Sequence, residues 1–374
     1  MGDAAANEFS PTGRSVAGTL GLVALAIVAL SIVDAYLART ERLENRSEAD
    51  RLVAAGRGLM AKGRPLDAVS QFKTALEMER ENSGDWLALG QAQLAADRLS
   101  DAETTLSELL RRDSTAGAAN LALARVLVKE KRITDAVSTY HRAIYGHWDQ
   151  DAEKNRVSVR FELVNLLAQQ GSKEELLAEL LPLLDVAPDD LAVREHLGHL
   201  FLAAGSAPRA GEIFREILRD HPADADAYAG LGESEFARGN YQTAHSDFQT
   251  ASSLRPFDTD ILGRLELATK VLALDPMRRG IGPEEQYRRS VEMLALASTA
   301  VTRCGGAISA GEQDTVDSAQ GAMKSHNRLV KLSEAVESNL NLAEEMWKIR
   351  QSICKQATSA EEEPLRLVLA KIAQ

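Results

Sequence analysis

Apolar and polar positions alternate in two different ways along this chain. From Ser15 to Val33 no charge interrupts the run S-V-A-G-T-L-G-L-V-A-L-A-I-V-A-L-S-I-V. At about 1.5 Å per residue such a helix is roughly 28 Å long, close to the hydrocarbon thickness of a bilayer. A secretory signal has an apolar region of only about 7 to 15 residues. This run is longer and Val33-Asp34-Ala35 is a poor cleavage site, so an uncleaved transmembrane anchor is expected over residues 15–38. A cleaved signal peptide is the alternative. Residues 1–14, small and polar, are expected to form a disordered tail.

After the anchor the apolar residues become sparse and regularly placed. In Asp224 to Pro256 they are Tyr228, Leu231, Phe248 and Leu254, with the small residues Gly232 and Ala244 between them. Small residues let two antiparallel helices cross closely, and the large ones fill the space around the crossing. Gly239 turns the chain and Pro256 stops the second helix. The frame recurs from Ala49 (Gly56, Leu59, Gly63, Ala68, Phe72, Ala75) and from Ser83 (Trp86, Leu89-Gly90, Ala102, Leu106). It returns from Gly117 (Leu123, Ala124, Leu127, Ala136, Tyr140, Ala143) and from Val157 in a divergent form (Leu163, Leu167, Gly171, Leu176, Leu180). The form from Leu191 is regular again (Leu197-Gly198, Phe201, Gly205, Ala210, Phe214, Pro222). Six residues are inserted after the third copy, in a polar stretch Asp149 to Arg156. A seventh first helix, Asp260 to Leu274, has no clear partner of the repeat type.

These offsets resemble the tetratricopeptide repeat, a helix-turn-helix unit of about 34 residues with the pattern W-x2-L-G-x2-Y…A-x3-F…P. The resemblance implies an all-α fold: a right-handed superhelix of helical hairpins over residues 39–274, about six repeats plus one extra helix. It also implies a concave groove lined by the first helices, in a scaffold that binds proteins and performs no chemistry. In this family the ninth position of each first helix faces the groove, here Arg57, Gln91, Arg125, Asn165, His199, Glu233 and Leu267. Arg57 and Arg125 are then expected to offer bidentate donors to a partner. The fifth position is Val53, Leu87, Leu121, Phe161, Glu195, Ala229 and Gly263. The carboxylate-clamp members of the family need a lysine there, and none is present. Leu87, Leu121 and Phe161 suggest an apolar floor instead.

Residues 275–374 leave the frame but remain helical. Helices are expected from Pro283 to about Arg303, ended by Cys304-Gly305-Gly306, and from Thr315 to Ser338. A further helix is introduced by Asn341 and Glu344 in capping-box spacing, and a last one runs from Glu361 to Ile372. This module is expected to cap the last repeat. Its two cysteines, Cys304 and Cys354, are the only ones in the chain. They form either a disulfide, implying an oxidising compartment, or two free thiols.

Composition narrows the function classes. The net charge is -12, which argues against nucleic acid, since phosphate binding needs a basic surface. Aromatics make up only 5% of the chain, which suits stacked helices with small residues at the crossings. There is no Gly-rich phosphate loop, paired-cysteine motif, H-E-x-x-H helix or nucleophile elbow. His196 and His199 could share a helix face, but nothing nearby completes a metal site. No cofactor, metal, catalytic residue or small-molecule substrate is expected. The partners expected are a protein or peptide in the groove and a membrane around the N-terminal helix. The reading is a single-pass membrane scaffold, in envelope or membrane-complex assembly, with an accessory subunit of a membrane enzyme as the alternative. Arg39, Arg42, Arg46 and Arg51 after the anchor favour a cytoplasmic array, whereas a disulfide would place it outside the cytoplasm.

Overall fold

Each repeat hairpin turns on the same backbone device. One or two residues after each first helix the chain enters the left-handed region, at Gly63, Asp97, Lys131, Gly171, Gly205 and Gly239. The N–H of that residue bonds back to the last turn, as in Gly239 N to Phe236 O at 3.0 Å. The next N–H reaches one residue further, as in Asn240 N to Glu235 O at 2.9 Å. All six turns make this pair of bonds, a Schellman motif that satisfies the orphan carbonyls of the ending helix. A glycine carries the required positive φ without strain, and four of the six positions have one.

The computed structural model describes residues 12–324, 331–354 and 357–373. Seventeen helices occupy these residues, and among them the only β feature is an isolated parallel bridge between Ala116 and His147. Two compact units divide the chain, residues 1–163 and 164–374.

In the first unit α1 (Thr12–Ala61) is one uninterrupted helix. It joins the apolar run to the first repeat with no break, so the residues between anchor and array are helical. Of the tail 1–14 expected to be disordered, residues 1–11 lie outside the described residues and Thr12 already belongs to α1. The first buried residues are Ala49 and Val53, which pack with Phe72 and Ala75 of α2 (Pro65–Met78). The pairs α3 (Ser83–Ala95) with α4 (Leu99–Arg112) and α5 (Gly117–Lys129) with α6 (Ile133–Ile144) follow.

The second small-large device recurs too. A Cβ on Gly56 would stand 2.7 Å from the Phe72 ring, and one on Gly90 would stand 2.6 Å from Leu106. Both large residues are fully buried. Helix α7 (Ala152–Gln170) starts inside the inserted polar stretch, so part of the insertion prolongs the first helix of the fourth repeat. The rest folds onto α5: His147 N donates to Thr115 O at 2.7 Å and Gly117 N to His147 O at 2.8 Å. Trp148 packs over Gly117 and donates to Ala143 O at 2.9 Å.

In the second unit α8 (Lys173–Leu184) precedes the regular pairs α9 (Leu191–Ala203) with α10 (Ala207–Asp220) and α11 (Ala225–Ala237) with α12 (Tyr241–Leu254). Asp190 and Asp224 cap α9 and α11, and Asp258 caps α13 (Thr259–Leu274). Gly198 and Gly232 meet Phe214 and Phe248 as their counterparts do in the first unit. Leu254, expected in the crossing, is 41% exposed; the crossing is filled by Phe248, Ala244 and Ala251.

The extra helix α13 is followed by no second helix of the repeat frame; the C-terminal module covers it instead. Helix α13 packs against α12 and against α17 (Glu363–Ile372), the last helix of the chain. Tyr241 donates to Leu367 O at 3.1 Å, and Lys371 pairs at 2.8 Å with Asp275, which is buried. Helix α14 (Pro283–Cys304) packs along α16 (Leu332–Ile353) over Met293, Leu294, Met346 and Trp347. Arg289 is buried and donates to the carbonyls of Leu272 and Asp275, closing the end of α13.

Two sequence expectations are corrected here. Helix α15 (Ala310–Lys324) ends well before Ser338, and residues 325–330 lie outside the described residues. The apparent capping pair Asn341 and Glu344 sits inside α16, because Leu340, Ala343, Met346 and Trp347 continue one buried stripe straight past it. Cys304 and Cys354 are joined as a disulfide with Cα atoms 5.2 Å apart, and the buried ion pair Arg350–Glu362 at 2.8 Å ties α16 to the start of α17.

Candidate partner-binding site

The ninth position of one first helix lies beside the sixth position of the next, 31 residues on, or 37 across the insertion. Three of these rungs are closed by side chains. In the first unit Arg125 (α5) holds Glu162 (α7) with both arms of its guanidinium, one at 3.0 Å. In the second unit His196 Nε2 lies 2.8 Å from Asn165 Oδ1, and Arg264 lies 3.2 Å from Glu233. Arg125 is therefore not the free bidentate donor expected from the sequence, since its fork is already occupied within the chain. The ion pair holds its guanidinium charged more firmly than usual. Burial, with Glu162 alongside, pushes the Tyr140 hydroxyl up to about 12. Burial and the neighbouring His199 push His196 down.

Three rungs are open. Opposite Arg57 stands Ala88, opposite Gln91 stands Ala122, and opposite His199 stands Gly230. None of these small residues can bridge the gap, and among the described residues Gln91 and His199 have no hydrogen-bonding partner. The glycine is dictated by packing, because a Cβ on Gly230 would lie 2.3 Å from the Phe214 ring. The edge of that ring also meets the His199 imidazole, centroids 5.2 Å apart.

The open rungs at Gln91 and His199 each coincide with a concavity. In the first unit a hollow of about 640 Å³ is lined by Gln91, Leu94, Ala95, Ala122, Arg125, Val128, Lys129 and Tyr140. Its apolar floor comes from Leu94 and Val128, not from Leu87, Leu121 or Phe161, which are half-buried and lie outside it. Residues at positions nine, twelve and thirteen share one helical face, a signal present in the sequence and not used above. Its cations are held, Arg125 by Glu162 and Lys129 by Asp97 at 2.9 Å. Arg57 is exposed on α1 and not part of the hollow; it lies near Asp85, whose carboxyl is held above its ordinary range by burial, then by Glu79 and Asp50.

In the second unit a hollow of about 600 Å³ is lined by His199, Asp226, Ala229, Glu233, Phe248, Asp258, Thr259, Asp260, Ile261, Gly263 and Arg264. A smaller one of about 210 Å³ adjoins Glu233 with Leu202, Phe236, Ala237, Phe248 and Arg264. The acids come from helix N-caps and second positions, which the ninth-position reading passes over.

Tetratricopeptide-repeat family models match residues 59–116 and, in two overlapping registers, 161–225 and 195–259. Over those residues the chain carries tetratricopeptide repeats, and repeats of this kind bind protein or peptide partners. Among proteins of curated function, none matches it in sequence. Solved structures similar to it include the C-terminal part of a repeat protein from Cytophaga hutchinsonii: 13% identity, TM-score 0.48, covering 65% of this chain and 94% of that one. Another is PilF of Pseudomonas aeruginosa, at 17% identity and TM-score 0.41, covering 59% and 96%. A third is YrrB, described as having an unusual peptide-binding site, at 18% identity and TM-score 0.42, covering 51% and 95%.

Proposed function

We propose that this protein is a membrane-anchored, non-catalytic scaffold that holds partner proteins at the open rungs of its repeats during envelope or membrane-complex assembly. The observation that carries the reading is the coincidence of Gln91 and His199, two ninth-position polar residues that face a small residue across an open rung, with hollows of about 640 and 600 Å³. Closed rungs already have their hydrogen bonds; open ones have polar groups and apolar floors to offer.

Anchoring rests on α1, whose most apolar 18-residue window has mean hydropathy 2.0 and is 0% buried within the chain. Leu22, Leu25, Ile27, Leu30 and Ile32 are all more than half exposed, which water would disfavour and lipid would not. Tyr36 follows the apolar run where interfacial aromatics sit. The Cys304–Cys354 bond supports an oxidising compartment and favours an array outside the cytoplasm, against the arginine count of the flank.

The test is purification from solubilised membranes of the wild type, Ala95→Trp and Gly263→Trp. Both tryptophans replace exposed residues that line the hollows. Partners that co-purify with the wild type and are lost from the plugged variants support the scaffold; partners retained by both variants contradict it. One stoichiometric partner would favour the accessory-subunit form of the reading. Alkaline extraction should leave the protein in the membrane pellet, and its release to the supernatant would contradict the anchor.

A further inference from the structure

We propose that the hollow at His199 is a binding site for a lysine- or arginine-bearing extended segment of a partner protein. The proposal deepens the scaffold reading and rests on it.

The first argument is space. Gly230 is held side-chain-free by Phe214, and position five is Ala229 and Gly263, so the rung that would close this hollow is missing. A Cβ at Gly263 would meet nothing within 4 Å.

The second argument is charge. Asp226, Asp258, Asp260 and Glu233 line the hollow, and Glu195, Asp224 and Asp226 bring their carboxylate oxygens within 4.8 Å of one another at its edge. Two arginines answer them from within the chain. Arg255 grips Asp226 at 2.7 Å and lies 4.0 Å from Asp258, and Arg264 pairs with Glu233. Among the described residues, Asp260 pairs with no cation and Glu195 with none within 4.0 Å; Arg255 acts on Glu195 only from further off, more weakly than burial and the two aspartates. The negative charge left over is not solvated freely: burial, then Asp224 and Asp226, holds the Glu195 carboxyl above its ordinary range. An incoming cation would relieve that repulsion.

The third argument is the floor. Phe248, Ile261 and Ala229 are apolar, and they suit the methylene stem of a lysine or arginine whose charged end reaches the acids. An acidic or purely apolar segment would meet like charge or leave the carboxylates stripped of water, each unfavourable. A volume of about 600 Å³ falls in the range of pockets that enclose a small ligand, about 300 to 1,000 Å³.

The probe is a fluorescein-labelled decapeptide of alternating lysine and alanine, titrated by anisotropy against the full chain in detergent, beside an alternating glutamate and alanine control. The basic probe should bind, and its Kd should rise at least tenfold in Glu195→Gln/Asp260→Asn. It should stay within twofold in Glu174→Gln/Glu175→Gln, which removes equal charge from the exposed first turn of α8. Gly263→Trp should abolish binding with an unchanged circular dichroism spectrum. Equal weakening by the two double variants, or no weakening by either, would overturn the proposal. If the acidic probe binds and Gly263→Trp removes it, the hollow is a partner site and the cationic assignment alone is wrong. If no probe responds to Gly263→Trp, the scaffold reading of this hollow fails with it.

Discussion

The repeats and the C-terminal module are both helical, but they are held together by contacts of different reach. In a repeat, the turn closes over five residues and the glycine-to-ring contact over sixteen, as from Gly198 to Phe214. In the module the links are remote: the disulfide spans 50 residues, Lys371 reaches Asp275 across 96, and Tyr241 reaches Leu367 across 126. Local devices repeated along a chain give stability that adds term by term between neighbours. Remote links give a module that stands or falls as one piece. The hydrophobic end of the last repeat pair is covered by that piece, since α13 packs on α17.

The comparison breaks most readily at the disulfide. By chain-entropy arithmetic, closing a 50-residue loop is worth up to about 4 kcal/mol. Cys304→Ser/Cys354→Ser should lower the module's unfolding midpoint by that order and expose α17 amides to hydrogen exchange. Amides of α9 and α10 should keep their protection. Equal loss in both places would mean that the repeats depend on the module.

Gly230→Ala probes the local device. Its Cβ would overlap the Phe214 ring, and overpacking should cost about 2 to 3 kcal/mol in urea denaturation. Adding Phe214→Leu should restore part of the loss; no restoration would mean the strain lies elsewhere.

Asp247 (α12) supplies a pH test. Burial, with Glu235 adding, pushes its carboxyl up from 3.8 to about 6, although Arg215 opposes this. A raised carboxyl pKa means that the folded state holds its proton more tightly than the unfolded chain. The contribution to stability is therefore full below about pH 4 and is lost as pH rises through about 6. Asp247→Asn should gain on the order of 1 kcal/mol at pH 7 and flatten this dependence, as read from thermal midpoints at pH 4 and pH 7. An unchanged slope would contradict the assignment.

The smallest effect is expected at Lys131, a non-glycine residue at φ 61° in the third turn. Relief of left-handed strain should outweigh glycine's extra entropy, so Lys131→Gly should stabilise by about 0.5 kcal/mol. Loss of stability would show that the lysine side chain holds the turn.

How far the fold can be read from the sequence follows the same division. The frame of small and large residues marks the hairpins directly, and four of the six turns announce themselves by glycine. Asp97 and Lys131 hide the other two, which only the spacing of 34 reveals. In the module the helical stripe through Leu340 and Trp347 overrides a plausible cap at Asn341, and 100 residues of chain separate Cys354 from the repeat frame that ends near Leu254. The candidate site was less legible. Ninth positions can be placed by counting, but whether each is open depends on the residue 31 further on. The insertion disguises that relation between Arg125 and Glu162. The acids around His199 come from caps and second positions, and only the packed helices bring them to one place.

The claim that partners engage open rungs is tested most directly by photocross-linking in intact membranes. The benzophenone amino acid p-benzoylphenylalanine would be placed singly at Gln91, Asn165 and His199. The account predicts partner adducts from positions 91 and 199 and little or none from 165, whose side chain faces His196 within the chain. Adducts of equal yield at all three positions, or adducts at 165 alone, would contradict it.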